Sequence, residues 1–76
     1  MKDLLLYIAK SLVEFPDQVT VTEVPREGET VLELRVAATD MGKVIGRQGR
    51  IAKDIRTIIK SAASRTGTKY SVEIVG

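Results

Sequence analysis

Two glycines three residues apart, Gly46 and Gly49, enclose Arg47 and Gln48, with Lys43 just before the pair and Arg50 just after it. A residue without a Cβ lets the backbone approach a bulky anion and adopts dihedral angles that other residues resist. If a helix starts at such a loop, its free N–H groups and positive dipole end point at the same place. With Lys43, Arg47 and Arg50 adding mobile positive charge, the chemistry is electrostatic, a cradle for a sugar–phosphate backbone. Catalysis has little to draw on. The chain has no cysteine and no histidine, which removes thiolate nucleophiles, imidazole bases and the usual zinc ligands, so no metal or cofactor is expected. Asp40 and Asp54 have no partner suggesting acid–base or two-metal work. Gly42-Lys43 runs into Val44 rather than Ser or Thr, and Gly46 to Gly49 follows a helix rather than a strand, so neither nucleotide-loop template fits.

The elements that must position this loop follow from periodicity. Leu5, Ile8, Ala9 and Leu12 recur at helical spacing, and Phe15-Pro16 ends the pattern. Val19 to Val24 is a β-branched strand, Pro25 to Glu29 a turn, and Thr30 to Ala37 a second strand with Leu32, Leu34 and Val36 on one face and Glu33 and Arg35 on the other. Thr39-Asp40 offers N-cap oxygens for a short helix through Val44 and Ile45. From Arg50 a longer helix carries Ile51, Ile55, Ile58, Ile59 and Ala62 as an apolar stripe, with Lys53, Arg56 and Lys60 along one flank. Gly67 stops it, and Tyr70, Val72 and Ile74 alternate in a last strand. The order αββααβ is an α+β domain, a three-stranded sheet packed on three helices.

At 76 residues the chain has room for one domain, residues 1–76, and a modest core. Its net charge of +2 hides an asymmetry, −4 over residues 1–42 and +7 over residues 43–69, which points to a basic face meeting a polyanion, most plausibly nucleic acid. A solvated helix face would show the same charge. The apolar run Leu4 to Ala9 is bounded by Asp3 and Lys10, which does not suit a secretion signal. No stretch approaches the roughly 18 residues of a membrane span, and the missing cysteines fit a reducing cytoplasm.

The stretch Val44-Ile45-Gly46-Arg47-Gln48-Gly49-Arg50-Ile51, with Ile55-Arg56 in the next turn, resembles the GXXG core of KH domains, which grip single-stranded nucleic acid over about four nucleotides. The element order resembles the bacterial, type II KH fold, and the likeness covers nearly the whole chain, nearest to small bacterial proteins that consist of a single KH domain. The resemblance implies a non-enzymatic RNA-binding protein, an RNA chaperone or post-transcriptional regulator, paired with its own copy or with a larger KH-containing protein of the Jag type. It implies that Gly46, Arg47, Gln48 and Gly49 meet the backbone of single-stranded RNA. Val44, Ile45 and Ile51 would form an apolar floor for bases opposite an edge strand, Thr30 to Ala37. Arg35, Lys53 and Arg56 would line the groove, and the Pro25 to Glu29 turn would close its far side as the variable loop. The chain departs from the family at Ala52, where a large aliphatic is common.

Two glycines at this spacing also suit a tight helix–helix corner with no ligand. Flanking aliphatics, the basic helix start and the element order favour the KH reading. An RNA-recognition motif is excluded, since Tyr7, Phe15 and Tyr70 are the only aromatics and no strand carries a stacking pair. The alternative function is a KH fold used for protein assembly, against which the basic and polar Arg47-Gln48 argues. Leu4, Leu6, Tyr7 and Val13 lie off the first helix's main stripe and are either core or a partner surface. Lys60, Arg65 and Lys69 read as solvated charge.

Overall fold

The computed structural model describes residues 1–76, in the order α1 (Lys2–Leu12), β1 (Thr20–Arg26), β2 (Glu29–Arg35), α2 (Met41–Ile45), α3 (Arg50–Ala63) and β3 (Tyr70–Val75). Single 3-10 turns at Pro16–Gln18, Ala38–Asp40 and Arg47–Gly49 join them. The sheet order is β1-β2-β3. β1 pairs antiparallel with β2 from Thr20↔Arg35 to Arg26↔Glu29, and β3 pairs parallel with β2 from Thr30↔Tyr70 to Arg35↔Val75. The expected αββααβ order therefore holds. No helix is long and apolar enough to cross a membrane.

One core lies between the sheet and the helices. Leu5 and Ala9 of α1, Val21 of β1, Leu32 and Leu34 of β2, Val44 of α2, Ile55 and Ile59 of α3 and Val72 of β3 are all buried in it. Of the side chains off the first helix's stripe, Leu4, Leu6 and Val13 pack against this core, while Tyr7 is 74% exposed. The partly exposed Leu12 also departs from the expected stripe.

Three expectations need correction. The turn expected over Pro25 to Glu29 shrinks to Glu27 and Gly28, because Pro25 and Arg26 continue β1 opposite Thr30 and Glu29. β1 is an edge strand, where a residue without an N–H is tolerated. Second, β2 is the central strand rather than an edge. Strands on both sides shield it, so Val31 on the face away from the helices is buried along with Leu32. Third, the buried stripe of α3 is Ala52, Ile55, Ile59 and Ala63, and Ile58 is 46% exposed. The side turned inward is centred on Ile55 and Ile59, which carries Ala52 and Ala63 inward with it and leaves Ile58 outside.

Asp40 also differs from expectation. It stands at the N-cap of α2 but makes no side-chain cap there. Its fully buried carboxylate instead accepts from the backbone N–H groups of Glu14 at 3.1 Å and Phe15 at 3.0 Å, with Lys43 Nζ 3.4 Å away. Burial pushes the carboxyl up, but the two amide bonds and Lys43 outweigh it and hold it below the ordinary carboxylate range. A carboxylate depressed in the folded state stabilises the fold above its unfolded pKa, near 4, and loses that contribution as pH falls through the folded value. Asp40→Ala, which orphans both amides, is expected to lower the neutral-pH melting temperature by several degrees. It should also flatten the fall in stability as the pH drops below about 4, read by melts monitored by circular dichroism. A variant whose melting temperature drops as steeply with acid as the native protein's would disprove the assignment.

Candidate nucleic-acid interface

The loop between α2 and α3 is built by three residues with positive φ. Gly46 has φ 76° and ψ 178°, a region open essentially to glycine. Gln48 (58°, 24°) and Gly49 (74°, 14°) are left-handed. A Cβ on Gly46 would lie 2.6 Å from Cγ1 of Ile51 and 2.9 Å from its Cβ, whereas one on Gly49 would meet nothing within 4 Å. The first glycine thus lets the corner close on Ile51, and the second turns the chain into α3. The loop is held by Gly46 N–H donating to Gly42 O at 2.8 Å and Gly49 N–H to Gly46 O at 3.2 Å. Arg47, Gln48 and Arg50 are exposed. No side chain caps α3; Arg50 N–H donates to Arg47 O, and the positive end of the helix dipole faces the loop.

Charge around the loop is uncompensated. The ion pairs of the protein involve only Arg35, 3.9 Å from Glu33, and Lys43, with Asp40 at 3.4 Å and Glu14 at 3.5 Å. Arg47, Arg50, Lys53, Arg56 and Lys60 carry their charge without an acidic partner. Lys43 is thus tied back towards the end of α1.

A cleft runs beside α3 against β3, lined by Arg56, Lys60, Thr68, Lys69, Tyr70 and Val72 among others. Arg56 Nε donates to the backbone carbonyl of Val72 at 3.2 Å, which fixes the guanidinium in the cleft. This corrects the expected groove. The edge strand beside the basic flank of α3 is β3, not Thr30 to Ala37, and of the expected Pro25 to Glu29 turn only Glu29 reaches the cleft, beside Ser64, Thr68 and Lys69. Arg35 alternates with the buried Leu34, and so stands on the sheet face away from the helices, outside the cleft. Val44 is 0% exposed and belongs to the core, so it supports the floor without being available to a base. Ile45 is 37% exposed beside the loop, and Ile51 packs partly on the core.

The structure brings together Ile45, the loop Gly46 to Gly49, Arg50, Ile51 and the flank Lys53–Arg56. It adds Lys60 and Lys69, which had read as solvated charge, and Tyr70, which had read only as a strand residue. The helical spacing Arg56, Lys60 was a signal for the first of these. For Lys69 and Tyr70 nothing local marks the site, because β3 reaches it only by pairing with β2.

A family model described as KhpA/KhpB, KH domain, matches residues 2–74. A protein of Clostridium acetobutylicum named RNA-binding protein KhpA is 60% identical over 75 residues, covering 99% of this chain and all of the relative. Proteins of the same name from Clostridium perfringens and Treponema pallidum are 56% and 49% identical, and the alignments cover 100% and 92% of their own lengths. No solved structure matches the chain.

Proposed function

The chain belongs to the KH-domain family of KhpA and KhpB, and from that membership we propose that it is a non-catalytic RNA-binding protein that grips single-stranded RNA through the loop Gly46 to Gly49. The supporting observation is the loop itself, in which Gly46 closes against Ile51 and leaves Arg47 and Gln48 exposed with no acidic partner. Relatives over nearly the whole length carry the name RNA-binding protein. In this reading the loop and the first turn of α3 hold phosphate, Ile45 and Ile51 give an apolar floor, and Arg56 and Lys60 continue the track along the cleft. From Arg50 to Lys60 the helix rises about 15 Å, a length suited to about four nucleotides.

So short and shallow a grip binds weakly and tolerates many sequences, which suits an RNA chaperone or post-transcriptional regulator acting in the cytoplasm. A second copy, or a larger KH-containing partner, supplies a second cleft and raises avidity by making the second contact intramolecular. The test is fluorescence anisotropy of a labelled unstructured RNA at several salt concentrations. Neutralising three or four phosphates on a single strand gives a log–log slope of about −2 to −3. A flat response argues against the basic cleft, and absence of binding favours a protein-assembly module.

A further inference from the structure

Tyr70 occupies an unusual position. It opens β3 opposite Thr30, on the same sheet face as Val72, packing partly on the core while lining the cleft beside Arg56, Lys60 and Lys69. Its hydroxyl makes no hydrogen bond within the protein, and of the three aromatic residues in the chain it alone lines this cleft. An aliphatic side chain would fill the same place on the core. What the ring adds is a flat π-face in a cleft lined by three cations outside any ion pair, Arg56, Lys60 and Lys69, against one acidic residue, Glu29.

The backbone beside it is already occupied. Thr30 N–H donates to Lys69 O at 2.9 Å, so by alternation Lys69, Ser71 and Glu73 turn their polar groups towards β2, and the carbonyl of Val72 points outward along the free edge. Arg56 Nε takes that carbonyl. A base entering this end of the cleft finds the outward acceptor filled. Among the surfaces left to it are the tyrosine ring and the remaining guanidinium donors.

We infer that Tyr70 is a stacking platform for one base of the bound strand, with Arg56 positioned by Val72 to hold the cleft open beside it. The inference rests on the RNA-binding reading above and extends it, since it assigns a base contact at the end of the cleft away from the glycine loop. Base–aromatic stacking is tolerant of sequence because every base has a π-face, so the contact raises affinity without narrowing the range of RNAs.

The experiment uses short single-stranded RNAs carrying 2-aminopurine at one position at a time, whose emission is quenched on stacking. They are titrated with the native protein, Tyr70→Phe, Tyr70→Leu and the loop variant Arg47→Asp/Gln48→Asp, each checked by circular dichroism. Native protein and Tyr70→Phe are expected to quench one position and bind alike. Tyr70→Leu, which keeps apolar bulk without the π-face, should lose that quenching and bind about 5- to 100-fold more weakly. If Tyr70→Leu keeps both affinity and quenching while the loop variant loses binding, this inference is overturned and the functional reading stands. If the native protein binds none of the RNAs, both fail together. Should Tyr70→Leu not fold, Tyr70→Trp decides the matter, because the chain has no other tryptophan. Its emission should fall on saturation with unlabelled RNA, and an unchanged emission overturns the stacking contact.

Discussion

Gly46→Ala is expected to lower the melting temperature by 10 °C or more, roughly, and to abolish RNA binding at concentrations where the native protein is saturated. Two effects add at this position. Its backbone (φ 76°, ψ 178°) is one an alanine adopts at a strain of about 1–3 kcal/mol. The new methyl would also sit 2.6–2.9 Å from Cγ1, Cβ and Cδ1 of Ile51. A change of rotamer moves the outer atoms of Ile51 but not its Cβ, which α3 fixes, so the corner itself has to open at a further 1–3 kcal/mol, roughly. A domain of this size has a total stability of only about 4–11 kcal/mol. Gly49→Ala is the control. It too has positive φ, but its added methyl meets nothing, so it should destabilise by only about 1 kcal/mol and leave the fold intact. Parallel thermal melts check the contrast, and equal losses at the two glycines would remove the argument that the first holds a contact and the second only a turn.

That difference between two identical residues marks the limit of what the sequence shows. The spacing of Gly46 and Gly49, the aliphatics around them and the basic start of α3 are local features, and the site's loop was legible from them. The element order was legible for the same reason, since each helix and strand carries its own periodicity. The order of strands in the sheet was not. Alternation along Thr30 to Ala37 tells which side chains share a face but not which strands lie beside them, so it distinguishes neither a central β2 from an edge nor an Arg35 outside the groove from one lining it. The adjacent apolar pair Val31-Leu32, both buried, was the available sign of a strand flanked on both sides. Asp40 shows the same limit, because its partners Glu14 and Phe15 lie 26 and 25 residues away and a local capping rule cannot see them. On α3, hydrophobicity ranks isoleucine above alanine, but the face centred on the buried Ile55 and Ile59 takes Ala52 and Ala63 inward and leaves Ile58 outside. Lys69 and Tyr70 join the cleft only through parallel pairing across the two intervening helices.

The loop variant Arg47→Asp/Gln48→Asp separates binding from stability. Both side chains are exposed and neither makes an ion pair or hydrogen bond within the protein, so the change should leave stability within about 0.5 kcal/mol of native. Position 48 has φ 58°, a left-handed conformation that aspartate accepts more readily than most residues. Both glycines stay, so the corner on Ile51 is kept. What changes is the field at the loop, where one positive charge is lost and two negative ones arrive within a few ångströms of any phosphate held there, inside the Debye length of about 8 Å at physiological salt. RNA affinity should fall at least 10-fold, roughly, with a shallower salt dependence, because fewer counterions are released when the strand binds. Anisotropy titrations at two salt concentrations, with melting temperatures measured alongside, read both quantities. Unchanged affinity with an unchanged melt would mean that Lys53, Arg56 and Lys60 hold the strand along α3, and that the glycine loop serves only to let two helices meet.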